Sequence, residues 1–182
     1  TKDLSSPPKY FPSNVELNKG GYEDVSTIIK KSLNPISIHN FNLLRKQSDV
    51  LILDVRSKSL FSRGHIPGSL FVGLEGMFAP WAGTLIEDIN QKIIIVSPKG
   101  KEEEAISRLA RVGFDNVLGF LDGGYEKWSR SSGKINKIEC ISAKEFVGET
   151  GSSKRNIYDV RGEDEFKIGH FPGAKNTPLK KI

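Results

Sequence analysis

With a single cysteine, Cys140, the chain cannot close an internal disulfide, and a reducing compartment is the expectation that follows. No apolar run approaches the roughly 18 residues that a bilayer-spanning helix needs. The leading stretch TKDLSSPPKYFPSN also lacks a signal-peptide hydrophobic region, so a soluble, cytoplasmic protein without a membrane partner is expected. An arginine-rich stripe with stacking aromatics is missing too. The 27 Lys and Arg are interleaved with 22 Asp and Glu, so the net +5 has no concentrated face and nucleic acid is not an expected partner. Histidine is scarce: His39, His65 and His170, with one cysteine, offer no ligand cluster, and no metal or other cofactor is expected within these residues. At 37% hydrophobic and 27% charged, the composition is that of an ordinary globular protein.

What the chain does contain is a repeat. Ile36 to Leu74 matches Ile141 to Leu179 at a constant offset of 105 residues without a gap. Asp54, Val55 and Arg56 answer to Asp159, Val160 and Arg161, and Phe61 answers to Phe166. Gly64 and His65 answer to Gly169 and His170, and Pro67 and Gly68 to Pro172 and Gly173. One register held through so many special residues implies two copies of one module. The second copy reaches Ile182, the counterpart of Met77.

In the first copy Val50–Leu53 and Ile93–Val96 are short continuous apolar runs, as in parallel strands covered on both faces. Val117–Leu121 reads as a further strand. Phe41–Lys46, Glu102–Val112 and Gly124–Ser131 read as helices, the second with Ile106, Leu109 and Ala110 on one face and Gly113 closing it, the third carrying Trp128 inward. Alternating strands and helices predict an α/β fold, an open parallel sheet with helices on both faces, followed by a partial second copy. Residues 1–34, with Pro7, Pro8, Pro12, Gly20 and Gly21, read as an extended connector. Residues 35–134 form the first module and 135–182 the leading part of the second, with a joint near Ser131–Lys137. Cys140, in the apolar stretch INKIECISAKEF with no base beside it, reads as a buried structural thiol. Asp54 and Arg56 are expected to form a structural ion pair at a strand end, and His65 and His170 to shape turns.

The segments DVRSKSLFSRGHIPGS and DVRGEDEFKIGHFPGA, with the later LDGGYEKW, resemble the rhodanese family of sulfurtransferases. The resemblance implies a doubly wound sheet whose reactive cysteine opens the loop between a central strand and the next helix. Backbone N–H groups at that helix start would cup an anion there. The loop in this chain reads Ser97, Pro98, Lys99, Gly100, Lys101, Glu102, and the family cysteine aligns with Ser97. A serine hydroxyl cannot hold a persulfide sulfur and is barely nucleophilic without a base. Pro98 removes one loop N–H, and Glu102, Glu103 and Glu104 suit the helix dipole while repelling an anionic substrate. No catalytic residue is therefore expected in this degenerate loop.

Ser6 to Leu33 resembles the stretch joining a metallo-β-lactamase-fold domain to tandem rhodanese modules in bacterial persulfide dioxygenase fusions. That resemblance implies a parent protein of sulfur metabolism with non-haem iron in a domain outside these residues. The function expected is a non-catalytic rhodanese-like module whose partners are neighbouring domains of the parent. Two alternatives stand beside it. A cysteine at about position 202, where the repeat would place the second loop, would make an active thiosulfate or persulfide sulfurtransferase. The Ser97–Glu104 loop could also serve as a protein-docking site. The open edge of an incomplete second copy also makes a homo-oligomer possible.

Overall fold

The computed structural model describes residues 24–131, 134–149 and 156–179, in two compact units, Thr1–Glu139 and Cys140–Ile182. The first unit runs α1 (Val25–Ser32), β1 (Pro35–Ile36), α2 (Ile38–Leu44), β2 (Val50–Asp54), α3 (Lys58–Arg63), β3 (Leu70–Phe71), α4 (Phe78–Leu85), β4 (Lys92–Val96), α5 (Glu102–Ala110), β5 (Val117–Leu121) and α6 (Gly124–Ser131). Its strands are all parallel, in the order β1-β5-β4-β2-β3.

The continuous apolar runs follow from that topology. Along β4, Ile93 and Ile95 join Leu53, Val55, Phe78, Ile106 and Leu109 on one face of the sheet. Ile94 and Val96 join Ile36, Ile52, Phe41 and Trp128 on the other. Alternate side chains point to opposite faces, so a central strand needs apolar residues at every position. Trp128 meets Phe41 edge to face, with ring centroids 5.3 Å apart.

Residues 1–23 of the expected connector lie outside the described residues. From Val25, however, the chain is not extended: α1 is capped by the Asp24 carboxylate, which accepts from Ser26 N at 3.0 Å, and Ile28 is buried. Val25, Thr27, Ile28 and Ile29 are β-branched and poor helix formers. Packing of α1 on α5 and β5 outweighs that propensity. The turn after it then braces β5. Asn34 donates through Nδ2 to Leu118 O at 3.3 Å and accepts from Phe120 N at 3.0 Å. At this bulge β5 places Gly119, φ +147°, so close that a Cβ would lie 2.2 Å from Asn34 O. Only glycine fits there.

Beyond Lys134 the first unit continues. His65 and Asn136 exchange backbone hydrogen bonds of 2.9 and 3.0 Å, and Ile138 N donates to Ser62 O at 2.8 Å.

The second unit contains α7 (Ala143–Glu149), β6 (Tyr158–Asp159), α8 (Glu163–Ile168) and β7 (Lys175–Asn176). The local bonding of the first unit recurs here at the 105-residue offset. Leu53 and Asp54 pair with Leu70 and Phe71, and Tyr158 and Asp159 pair with Lys175 and Asn176. Val72 N to Asp54 O is 3.0 Å and Thr177 N to Asp159 O is 2.8 Å. Phe61 stacks on His65 at 4.0 Å, and Phe166 on His170 at 3.7 Å. Burial does not recur, since no described residue of Cys140–Ile182 is buried.

Cys140 corrects an expectation, because it is exposed. Its counterpart in the repeat is Pro35, which faces solvent while Ile36 beside it is buried. At Cys140 no strand forms, and Ile138 and Ile141 on either side of it are exposed as well, so the apolar flanks bury nothing without a surface to cover them.

Candidate functional site

Ligand sites of open parallel sheets lie beyond the carboxyl ends of the strands. At that end β4 delivers the loop Ser97–Lys101, which leads into α5. Lys101 N donates to Pro98 O at 3.1 Å, and Gly100, at φ +81°, stands third in the resulting turn, where a type II turn needs positive φ. Ser97 is 5% exposed at the foot of the loop, and its hydroxyl has no hydrogen-bond partner among the described residues. The loop is seated by β2, whose extension donates from Val55 N to Val96 O at 2.9 Å. From the other side comes Gly124 at the start of α6, with φ +60° and the site of a Cβ 3.3 Å from Ser97 O. A side chain at that glycine would crowd the loop backbone.

No side chain caps the first turn of α5. Glu102, Glu103 and Glu104 stand there as the sequence predicts, yet they are not equivalent. Lys101 Nζ donates to Glu104 Oε2 at 2.8 Å, and Arg108 approaches Glu104 Oε1 at 3.6 Å. The hydrogen bond from Lys101, helped by its charge and that of Arg108, holds the Glu104 carboxyl below its ordinary pKa, and the same bond raises that of Lys101. Two of the loop's charges are thus spent on each other. Glu102, Glu103 and Lys99 make no ion pair among the described residues.

Asp54 and Arg56 are joined as expected. Arg56 donates from Nη2 to Asp54 Oδ2 at 2.7 Å and from Nε to Oδ1 at 3.0 Å, and a further Nη2 bond reaches Gly64 O at 2.8 Å. Both side chains are buried, at 1% and 0% exposed, and the Tyr125 ring lies 4.0 Å from the guanidinium carbon. The pair fixes the turn after β2 and leaves Arg56 no free face for a ligand. His65 donates from Nδ1 to Phe61 O at 3.0 Å, since a carbonyl can only accept, so its ring is fixed as a turn residue. Among the described residues no group of three or more His, Cys, Asp or Glu could hold a metal ion.

Sequence reasoning missed two residues near this end of the sheet. Tyr125 sits in LDGGYEKW, where only Trp128 signals burial. Arg108 balances acidic charge on α5, but its larger task is tertiary. Its guanidinium donates from Nη1 to Leu74 O and from Nη2 to Gly76 O, the latter at 2.9 Å, tying the loop before α4 to α5. Nothing in the local pattern marks a partner more than 30 residues away.

A parallel sheet covered by helices, with a turn and helix start after the central strand, defines the rhodanese-like architecture, and the comparisons agree. The rhodanese-like domain family matches residues 38–131, and the chain belongs to that family. It is similar to the thiosulfate sulfurtransferase GlpE of Shewanella oneidensis, with 28% identity over 102 residues, 56% of this chain and 97% of that protein. It is likewise similar to the GlpE of Pseudoalteromonas translucida, with 35% identity over 95 residues, 51% of this chain and 86% of that one. Among solved structures, the Alr3790 protein of Anabaena sp. shares the fold with a TM-score of 0.52 and 22% identity, covering 62% of this chain and 99% of that one. An EanB variant in complex with hercynine does so with a TM-score of 0.54 and 16% identity, covering 87% of this chain and 42% of that one. The first unit is thus a sulfurtransferase-type domain. Among the described residues no helix is long and apolar enough to cross a membrane.

Proposed function

We propose that residues 35–134 are a non-catalytic rhodanese-like module and that residues 135–182 are the leading part of a second one in a sulfur-handling protein. Ser97 carries this reading. The relatives named thiosulfate sulfurtransferases point to sulfur transfer, and a transferable sulfur needs a thiolate to receive it. At the end of β4 the group in that place is the Ser97 hydroxyl, and among the described residues no histidine, lysine or carboxylate bonds to it. The recurrence of strand pairing, ion pair and histidine turn at the 105-residue offset supports the second-module reading.

The likeness of Ser6 to Leu33 to the joint of persulfide dioxygenase fusions supports a parent that oxidises persulfides. Iron would then belong to another domain, since no described residues gather into a metal site. The module's work in such a parent is to space and dock its neighbours.

The test is a thiosulfate:cyanide sulfurtransferase assay. The chain is expected to show no turnover above a blank without protein. Because Cys140 is exposed and could accept sulfur adventitiously, the assay is repeated after its alkylation. Turnover that survives alkylation would overturn the proposal.

A further inference from the structure

The family match ends at residue 131, yet the first unit goes on. Residues 134–138 lie along the turn after α3, where His65 N donates to Asn136 O at 2.9 Å, Asn136 N to His65 O at 3.0 Å, and Ile138 N to Ser62 O at 2.8 Å. Among the described residues these three main-chain bonds are what hold the stretch. Its apolar side chains add little, since Ile135 and Ile138 remain 37% and 51% exposed.

What the stretch rests on is buried. His65 is 8% exposed, and Gly64 beside it accepts through its carbonyl from Arg56 Nη2 at 2.8 Å. Gly64 has no room for a side chain, because a Cβ there would lie 2.1 Å from the Tyr125 hydroxyl oxygen and 3.7 Å from Ile135 Cδ1. Tyr125, whose ring covers the Arg56 guanidinium, and Ile135 thus close on the same glycine. A continuous path of contacts runs from residues 134–138 through Gly64 to the sealed Asp54–Arg56 pair.

Hold and consequence are unequal at this place. An element with few main-chain bonds and exposed apolar side chains opens at low free energy, whereas the ion pair beneath it is kept from water. We propose that residues 134–138 are a strap that lifts as one unit and lets water reach Arg56 while the sheet stays closed. The strap is also the stretch by which the chain leaves the first module, so the start of the joint and the buried pair belong to one opening unit. The inference makes no use of the chemistry at Ser97.

Hydrogen exchange of the isotope-labelled full chain, read residue by residue and including the Arg56 Nε proton, tests the strap. The amides of His65, Asn136 and Ile138 and the Arg56 Nε proton are expected to share one opening free energy, with protection at least about tenfold below that of Ile94 and Ile95. Asn136→Pro, which removes the donor to His65 O, should speed His65 N and Arg56 Nε by about tenfold more and leave Ile94 and Ile95 unchanged. Ile135→Ala keeps every main-chain bond and should move the same protons in the same direction by less. It carries the test if the proline variant fails to fold. The strap is overturned if Arg56 Nε in the unaltered chain exchanges together with Ile94 and Ile95, since the pair then opens only with the whole sheet. Faster exchange at His65 in the variants without any change at Arg56 Nε would also overturn it, as would equal acceleration of the core amides.

Discussion

Asp54 and Arg56 share every local contact with Asp159 and Arg161, yet only the first pair is out of water. Removing one partner of a buried pair strands the other charge without solvent, whereas an exposed pair falls back on hydration. Asp54→Asn is therefore expected to destabilise the first unit by about 3–5 kcal/mol. Asp159→Asn should leave the denaturation midpoint of the chain unchanged within error. Chemical denaturation of the two variants, followed by the fluorescence of Trp81 and Trp128 and by far-ultraviolet circular dichroism, checks the contrast. A large loss from Asp159→Asn would mean that the second unit shields its pair as the first does. The residue types of both pairs were legible in the sequence, as was the ion pairing itself. Their difference was not, because burial is conferred by Tyr125 and β4, which lie far along the chain.

The first turn of α5 shows what an element does with its charges. Glu104 titrates below the ordinary glutamate value of 4.5 because its charged form is bonded by Lys101 and attracted by Arg108. A lowered carboxyl pKa adds stability above the unfolded-state value, and that stability disappears as pH falls through the lowered one. The turn is thus expected to be firm at neutral pH and to loosen only in acid. A titration of the Glu104 side-chain resonance should place its midpoint below 4.5, and Lys101→Gln should move it back toward that value. An unchanged midpoint would show that the bond to Lys101 does not persist in solution. Helices at α5 and α6 and the central strands were readable from their apolar spacing. The helix α4, FAPWAGTL, was not, since Pro80 and Gly83 are breakers by pattern. Pro80 lies in the first turn, where its missing N–H would have had no helical partner.

For the whole molecule, the contrast in burial predicts a contrast in stability. In the first unit Ile93, Ile94 and Ile95 are fully buried in the middle of a five-stranded sheet. The second unit has a two-stranded sheet, and none of its described residues is buried. Opening free energies scale with what an element buries. Amides of Lys175 and Thr177 are expected to exchange with solvent at least about a hundredfold faster than those of Ile94 and Ile95. Hydrogen exchange read residue by residue decides this, and comparable protection in both units would show that the second finds cover of its own. The sequence by itself determined the repeat and its register, the parallel strands, and the serine at the end of β4. Each of these is written in residue type and short-range periodicity. Only the tertiary structure decided that Arg56 is sealed while Arg161 is open, that Cys140 faces solvent, and that Arg108 binds the loop before α4. The reason is one of range. Turns, caps and ion pairs two residues apart close within a few residues and repeat wherever the sequence repeats. Burial requires a partner surface from elsewhere, and identical local motifs have different fates according to whether that surface arrives.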